Sequence, residues 1–503
     1  MTAPDRRIQR IVIAGGGSAG WMTAAALANA LGRNASITLI ESEEIGVVGV
    51  GEATIPPIKL FNQTLGIAEA DFLRATQGTY KLGIQFCGWG EADSRYFHPF
   101  GSYGRAFDAV AVHQHWLRAQ EKGVAGPLDA YCMAWAAASR NRFAPPAANP
   151  RDVLSTHDYA YHFDAGLYAA MLRSYAEARG VTRIEGRIEK VELASESGFV
   201  AALGLDHDRR LDGDLFIDCT GFRSLLLGEA LGVEFEDWSR WLPCDRAIAV
   251  ASPVLADLPP YTRSTAAPAG WRWRIPLQHR TGNGHVYASG FMSDAAAERH
   301  LMDGLAGEAC GEPRLLRFTA GRRKTFWDKN VIAIGLSSGF MEPLESTSLH
   351  LIQAGIAKLL AFFPTLDFEP LARGEYNRVA SSEFERIRDF LILHYKLNRR
   401  EEPFWRALAD MAIPDALAER IDHFRACGRL LQRDPDLFGP PSWLAVHVGQ
   451  GHLPQSPDPL LAYRPDQSDW LDKVRRAMAA AAEGLPSHQA YIANTCRASQ
   501  RVA

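Results

Sequence analysis

Apolar and polar positions near the start of the chain predict a strand, a tight turn, a helix and a second strand. Residues 8–14 form a short, mostly apolar run, and residues 15–20 read GGGSAG. Residues 21–31 are rich in Ala and Leu, and residues 36–40 form a second apolar run that ends at Glu41. This order is typical of the opening β-strand, helix and β-strand of a parallel α/β sheet.

The turn matches the GxGxxG pattern of dinucleotide-binding folds. In this pattern Gly15 permits the tight turn, Gly17 lets a pyrophosphate approach the backbone, and Gly20 lets the helix pack on the strand. At the helix start, the N–H groups of Ser18 and Ala19 would face the phosphates at the positive end of the helix dipole. The competing interpretation is a purely structural glycine turn.

Glu41 stands about 20 residues after the turn, where an acid accepts a hydrogen bond from a ribose hydroxyl. The ligand is then FAD or a nicotinamide cofactor. Two later apolar strands, Leu215–Asp218 and one at residues 331–336 with Gly335 and Leu336 in its turn, favour FAD. We therefore expect an α/β fold with a Rossmann-like FAD module of the flavin monooxygenase type, interrupted by insertions and additional β-sheet.

A dense polar segment, GFMEPLESTS (339–348), follows the last of these strands and leads into a helical pattern. Ser346, Thr347 and Ser348 would place hydroxyl and N–H groups at the helix start, which suits an anion or a flavin edge. The alternative is an ordinary N-cap with an acidic first turn.

Two further segments alternate with the period of a strand. Residues 79–86 put Tyr80 with every second apolar residue on one face and Lys81 on the other, which by itself is typical of a solvent-facing lysine on a half-buried strand. Trp271 and Trp273 share one face of a predicted strand, where they pack in a core or flank a planar ligand.

Composition excludes several classes of protein. The chain has 503 residues, 47% hydrophobic and 22% charged, with 54 Lys+Arg against 58 Asp+Glu and a formal charge of −4. This is a globular mixture long enough for two or three domains and too acidic to favour nucleic acid. We expect neither a metal site nor a disulfide framework, because His113 and His115 do not face each other on a helix and the seven cysteines are scattered. No signal peptide or membrane span is predicted, so we expect a cytoplasmic protein.

The motifs together resemble those of the flavin-dependent halogenases of the tryptophan halogenase family. The matching segments run in the same order along the chain: GGGSAGW (15–21), GVGEATIP (49–56), Lys81 in its strand, HPFG (98–101), YHFDAGLYAAML (161–172), IDCTGFRS (217–224), WRWRIP (271–276) and AIGLSSGFMEPLESTSLHLI (333–352). The combination of WxWxIP with GxGxxG and FMEPLESTS is specific to this family among flavoproteins.

The resemblance implies a two-component reaction. A separate NAD(P)H-dependent flavin reductase supplies reduced FAD, and O2 with chloride or bromide yields hypohalous acid. The halide binds near Thr347 and Ser348, and the oxidant reaches Lys81, where an electron-rich arene attacks it. Glu345, with Ser346 beside it, takes the arene proton or orients the oxidant.

The resemblance also assigns residues around the two ligands. Ala53, Asp218, Gly335 and Leu336 join the glycine turn in binding FAD, and Trp271 and Trp273 lie near the flavin, a position linked to suppressing direct monooxygenation. It leaves the oligomeric state open, a homodimer included.

This sequence departs from the tryptophan-specific members at the site that anchors the amino acid. Those members carry a tyrosine pair where this chain has Trp443 and Leu444, whereas His98 and Phe100 match positions that contact the indole. We therefore expect an indole-like or other electron-rich aromatic substrate rather than free tryptophan. Ser348 stands where many members have glycine.

Two other functions remain open at this point: a flavin-dependent aromatic monooxygenase, and a flavin-fold carrier without catalysis. We expect residues 1–370 to form the FAD module, with insertions near 88–150 and 225–300. Residues 371–503 are expected to form a mostly helical region that caps the substrate site, with helices at 378–397, 403–412, 415–433 and 470–482.

Overall fold

The computed structural model describes residues 5–43, 52–433 and 436–499. The first three residues of the GVGEATIP motif lie outside these ranges. The strands of the described chain are β1 (Arg10–Ala14), β2 (Ser36–Glu41), β3 (Glu52–Ala53), β4 (Thr79–Lys81), β5 (Gly83–Cys87), β6 (Arg95–Pro99), β7 (Ala160–Phe163), β8 (Thr182–Glu185), β9 (Ile188–Leu193), β10 (Val200–Leu205), β11 (Arg210–Asp212), β12 (Leu215–Asp218), β13 (Phe235–Asp237), β14 (Arg246–Ser252), β15 (Thr262–Ala267), β16 (Gly270–Pro276), β17 (Thr281–Tyr287), β18 (Arg314–Arg317), β19 (Gly321–Arg323), β20 (Trp327–Asp328), β21 (Val331–Ala333) and β22 (Gly339–Phe340).

The α-helices of the same residues are α1 (Ser18–Leu31), α2 (Pro57–Thr64), α3 (Glu69–Ala75), α4 (Val112–Glu121), α5 (Met133–Ala138), α6 (Ala165–Glu177), α7 (Asp294–Met302), α8 (Ser348–Ala361), α9 (Pro370–Lys396), α10 (Pro403–Asp410), α11 (Asp415–Cys427), α12 (Pro440–Gly449), α13 (Ser468–Glu483) and α14 (His488–Thr495). None of them combines the length and the apolar character that a membrane span requires.

The nucleotide-binding sheet has the strand order β20-β21-β12-β1-β2-β8. The pairs from β21 to β8 are parallel, with Ile13 opposite Ile217 on one side and Leu39 on the other. Its central strands are buried on both faces, which explains why they are continuous apolar runs. Strands separated by two long stretches of sequence therefore form one sheet, and the prediction of an interrupted Rossmann-like module is confirmed.

A second sheet, in the order β18-β14-β17-β16-β15-β5-β6, carries both tryptophans of WRWRIP on β16. A small sheet, β3-β7-β4, carries Lys81. The prediction of one strand over residues 79–86 is therefore wrong. The chain changes sheets at Leu82, whose N–H donates to Pro260 O and whose carbonyl accepts from the N–H of Phe100. The alternation by itself is typical of a solvent-facing lysine, but Lys81 is fully buried.

The C-terminal part of the described chain is helical, as predicted. α9, α10, α11 and α13 lie where the four helical patterns were found. α9 begins with Pro370 at its first position and a Glu369 cap that accepts from two backbone N–H groups. Its last three turns are buried on nearly all sides, so this helix passes through the protein rather than over its surface. The division into a module and a cap stays a prediction.

Candidate active site

Lys81 lies at the end of β4 with its ammonium group inside the protein. Its Nζ donates hydrogen bonds to Thr54 O at 2.9 Å and to Ser346 Oγ at 2.8 Å. The Nζ also lies 5.1 Å from the centre of the Phe100 ring. Burial lowers the pKa of Lys81 to about 7, against the opposing effect of the charge on Glu345. An amine of this kind is available both as a donor and as a free base near neutral pH.

Ser346 reaches Lys81 because the backbone turns sharply at this residue. A short 3-10 turn covers Pro343–Glu345, and Ser346 follows it with φ +60°, in the left-handed region that few residues other than glycine adopt. Its N–H donates to Pro343 O. The polar segment that the sequence marked as a candidate site is thus a strained turn, and it places the Ser346 hydroxyl against a buried lysine.

The helix predicted after this turn is α8, which begins at Ser348. Thr347 occupies the N-cap position and is buried, but its side chain makes no capping hydrogen bond. The first turn of α8 contains no acidic residue. The free N–H groups at this helix start, together with two hydroxyls, are chemically suited to an anion. The assignment of Thr347 and Ser348 to the halide stays a prediction.

Glu345 is a buried carboxylate between two imidazoles. Its Oε2 lies 2.8 Å from Nδ1 of His98, and its Oε1 lies 2.8 Å from Nε2 of His394. Burial opposes ionisation of Glu345, but the two histidines outweigh it and lower the pKa of the carboxyl to about 2. His98, predicted to contact the substrate, therefore also holds the candidate base.

A second carboxyl, that of Glu342, lies one turn before Glu345. Its Oε2 accepts hydrogen bonds from Trp271 Nε1 and from Tyr395 OH, both at 2.6 Å. Burial raises the pKa of Glu342 to about 7, against the effect of these two donors. The rings of Trp271 and Trp273 lie 6.1 Å apart, and both side chains are buried. Glu342 thus fastens the WRWRIP strand to the turn that carries the candidate active site.

The glycine turn has the shape that a dinucleotide requires. A Cβ on Gly20 would lie 1.9 Å from Gly15 O, and one on Gly15 would lie 2.3 Å from Cys219 O, so strand and helix meet here without side chains. A Cβ on Gly17 would meet nothing within 4 Å, which shows open space in front of the turn. α1 begins with no side-chain cap and no acid in its first turn. These residues fit the pyrophosphate of FAD.

Glu41 lies directly against this turn. A Cβ on Gly16 would lie 1.7 Å from Glu41 Oε2, and the same oxygen accepts from Trp21 Nε1 at 3.2 Å. Arg183 pairs with the other oxygen of Glu41. The carboxylate is therefore fixed at the end of β2, where the sequence predicts the contact with ribose.

Of the remaining predicted cofactor residues, Gly335 and Leu336 lie beside the glycine turn and Ala53 lies in the small sheet β3-β7-β4. Gly335 has φ +83°, and a Cβ there would lie 2.7 Å from that of Ala19, so the turn that contains Gly335 and Leu336 packs on the start of α1. Ala53 is buried in β3, opposite His162.

Asp218 has a structural role that the sequence did not predict. Its carboxylate accepts from Thr220 and from the backbone N–H groups of Leu226 and Leu227. It therefore shapes the loop after β12, and direct contact of Asp218 with FAD stays a prediction.

Trp443 lies on α12, and the ring of Phe390 contacts both Trp443 and His98. Its Nε1 donates to Phe438 O at 3.1 Å, and its ring packs at 5.3 Å against Phe390. The Phe390 ring lies 5.7 Å from that of His98. Trp443 can thus influence an arene near His98 through the Phe390 ring, and its own N–H is already used.

Sequence reasoning missed His394 and Tyr395, which contact the two buried carboxyls. The signal was present but weak: His394 is a lone imidazole in an apolar run, FLILHY (390–395). Such a histidine is usually a satisfied core residue, and nothing near it in the sequence points to the ESTS segment. Only the packing of α9 shows that it faces Glu345.

Comparison with known proteins finds the same family along nearly the whole chain. A family model described as tryptophan halogenase matches residues 10–466. Tryptophan 6-halogenase SttH from Streptomyces toxytricini is 37% identical over 489 residues, which cover 91% of this chain and 92% of the relative. The solved structure of Xcc4156, a flavin-dependent halogenase from Xanthomonas campestris, is 47% identical with a TM-score of 0.95 and covers 99% of this chain and 100% of that one. BrvH, a flavin-dependent halogenase from Brevundimonas sp. BAL3, is 46% identical with a TM-score of 0.94, over 98% of this chain and 100% of that one.

Proposed function

The chain belongs to the tryptophan halogenase family and is a flavin-dependent halogenase of aromatic substrates; we propose that it forms hypohalous acid from O2 and chloride or bromide and delivers it to Lys81. There the halogen is transferred to an indole-like or other electron-rich arene that is not free tryptophan. A separate NAD(P)H-dependent reductase supplies the reduced flavin. The monooxygenase and carrier alternatives have no comparable support from the site.

The observation that carries the proposal is the meeting of Lys81, Ser346 and Glu345 in one buried place. Hypohalous acid reacts with most organic groups in water, so selective halogenation requires a donor that holds it away from solvent. The ammonium form of Lys81 can hold the oxidant by hydrogen bonding and make the halogen more electrophilic, and the amine form can carry it as a haloamine. Ser346 fixes the direction of Nζ through its 2.8 Å hydrogen bond.

Glu345 has the charge state that a base requires. Attack of the arene on the halogen gives a cation that must lose one ring proton to regain aromaticity. An ionised carboxylate close to Lys81 stabilises this cation and can accept the proton. The histidines on either side of Glu345 keep it ionised despite its burial.

FAD, when bound, supplies the activation of O2. The residues that would hold it are the Gly15–Gly20 turn, Glu41 and the turn at Gly335, which the structure brings to one edge of the sheet. Thr347 and Ser348 would hold the halide at the start of α8.

The substrate class is inferred from the side chains near His98 and at the position of the tyrosine pair. SttH is named as a tryptophan halogenase, but the position of the tyrosine pair here holds Trp443 and Leu444, both buried. The Trp443 N–H donates to Phe438 O and Leu444 has no polar side-chain atom, so neither residue offers a free hydrogen-bonding group to an amino acid. Phe100, Phe390 and the ring of His98 are suited to a flat aromatic molecule without charge.

The test is a product analysis. The enzyme would be supplied with a flavin reductase, FAD, NADH and either bromide or chloride, together with indole, tryptophan or phenols, and products would be identified by mass spectrometry. We expect halogenated indole in greater yield than halogenated tryptophan. Hydroxylated products formed without halide would instead show a monooxygenase, and tryptophan as the preferred substrate would overturn the substrate assignment.

A further inference from the structure

Two adjacent residues near the end of α9 contact the two buried carboxyls of the active-site turn. His394 Nε2 lies 2.8 Å from Glu345 Oε1, and the Tyr395 hydroxyl donates to Glu342 Oε2 at 2.6 Å. The carbonyl of His394 is itself held by Gln450 Nε2 at 3.0 Å. The helix end is thus fixed, and the imidazole of His394 faces Glu345.

The hydrogen bonds of His394 determine where its protons are. Its Nδ1 lies 2.9 Å from Phe390 O, and since a carbonyl only accepts, Nδ1 carries a hydrogen. A neutral imidazole would then present a bare Nε2 to the carboxylate of Glu345, and two acceptors at 2.8 Å repel each other. Nε2 and Oε1 are buried, approach each other at an ion-pair distance of 2.8 Å, and neither makes a hydrogen bond to any other described residue. One proton must therefore lie between His394 and Glu345.

The other groups around Glu345 do not replace this proton. Among the described residues, the titratable side chains that interact with the Glu345 carboxylate are His98 and Tyr96 from β6, Lys81 from β4 and His394 from α9. The nearby Glu342 and Tyr395 bond to each other. His98 can donate through Nδ1 while neutral, so it does not have to carry charge. Lys81 Nζ donates to Thr54 and Ser346 rather than to Glu345.

We propose that His394 is a positioning residue that shares one proton with Glu345 and keeps this carboxylate ionised for its role as the base. The assignment rests on the proposed function of Glu345. Before the reaction, the positive charge of the His394 imidazolium stabilises the negative charge of Glu345, which burial disfavours. The effect on the arene is indirect, because His394 acts through Glu345.

The first test removes the charge of His394 and keeps a donor in its place. In His394→Gln the amide can still donate to Glu345. Burial raises the pKa of this carboxyl, and of the two histidines only His98 then remains to lower it. At each pH the halogenation rate of the variant is divided by that of wild type. The effects of pH on the flavin and oxygen steps are common to both proteins and cancel in this ratio. We expect this ratio to be steady at alkaline pH and to fall about tenfold per pH unit below a midpoint that is shifted upward, because the pKa of Glu345 rises when the charge of His394 is lost.

A matched control is His285→Gln. His285 is a buried histidine whose Nδ1 also bonds a backbone carbonyl, Ala297 O at 3.0 Å, on the opposite face of the second sheet from Trp271. Its rate ratio should not change with pH. In a double-mutant cycle, His394→Gln added to Glu345→Gln should cost almost nothing further, because the carboxylate on which His394 acts is already gone. A pH-independent ratio for His394→Gln, or full additivity in the cycle, would overturn the proposal.

An infrared titration tests the same assignment without catalysis. The carbonyl band of a protonated carboxylic acid, identified by its loss in Glu345→Gln, should be absent at neutral pH in wild type and appear as pH is lowered in His394→Gln. If this band behaves as expected but no arene is halogenated, the proposed function fails and the proton sharing stands. If halogenation occurs and the band titrates alike in both proteins, only the role of His394 is wrong.

Discussion

The Nζ of Lys81 donates a 2.8 Å hydrogen bond to Ser346 Oγ, although 265 positions separate the two residues in the chain. Ser346 adopts a left-handed backbone conformation to make this contact, and Lys81 is fully buried. A strained serine and a desolvated lysine both cost stability. Their pairing is therefore explained by chemistry at the site rather than by the needs of folding.

Replacing Lys81 should separate formation of the oxidant from its use. In Lys81→Ala and in the longer Lys81→Met, arene halogenation should fall by at least about 100-fold because the donor that holds the halogen is gone. Hypohalous acid should still form, since the FAD turn and the start of α8 are unchanged. The measurement is arene product by mass spectrometry beside hypohalous acid captured by a small halogenatable trap. Substantial arene product from either variant would contradict the role of Lys81.

The same residue predicts a pH-dependent stability. The folded pKa of Lys81, about 7, lies below the ordinary value of 10.5, so the unfolded chain binds more protons between these values. The cost of burying the charge is complete below pH 7 and disappears as the pH rises towards 10.5. Relative to Lys81→Met, the free energy of unfolding of wild type should therefore rise by up to about 4 kcal/mol between about pH 6 and pH 10. Urea denaturation of both proteins across this range checks it, and a constant difference would contradict it.

Two glycines of the first turn should respond differently to alanine. Gly17→Ala adds a methyl group to open space, so the fold should keep its melting temperature while FAD binding weakens by about tenfold or more. Gly20→Ala drives a methyl group to 1.9 Å from Gly15 O, so this variant should lose stability as well. Thermal melting without FAD and a fluorescence titration with FAD separate the two effects. Unweakened binding in Gly17→Ala would argue against a pyrophosphate at this turn.

Thr347 should influence the halide. Thr347→Val keeps the shape of the side chain and removes its hydroxyl from the start of α8, so the KM for chloride or bromide should rise several-fold with little change of kcat at saturating halide. Ser348→Gly, which restores the glycine of many family members, should shift the ratio of the two halide KM values. Steady-state rates over a range of each salt measure this. Identical halide dependence in wild type and Thr347→Val would count against the halide assignment.

Replacing Trp443 by phenylalanine should weaken binding of the arene without enabling tryptophan to bind, because phenylalanine restores no hydroxyl. Trp443→Phe loses the hydrogen bond to Phe438 O and loosens the packing on Phe390, so the KM for indole should rise several-fold. The rate of hypohalous acid formation should not change. Competition between indole and tryptophan measures the preference in both proteins. A variant that converts tryptophan better than indole would show that Trp443 excludes the amino acid directly.

Features that depend on neighbouring residues could be predicted from the amino-acid sequence. The GxGxxG turn, the strand and helix around it, the start of α8 and the helices after residue 370 follow from local backbone requirements and from the spacing of apolar positions. The family motifs also pointed to Lys81, Glu345 and Ser346 as one catalytic group.

The burial of these groups and the charges around them depend on the three-dimensional fold. Alternation along residues 79–86 predicted one half-exposed strand, but the chain changes sheets at Leu82 and encloses Lys81. The contact between His394 and Glu345 has no local signal, because it depends on where α9 crosses the protein. Burial and charge pairing are set by segments far apart in the chain, and these two quantities fix the ionisation of Lys81 and Glu345.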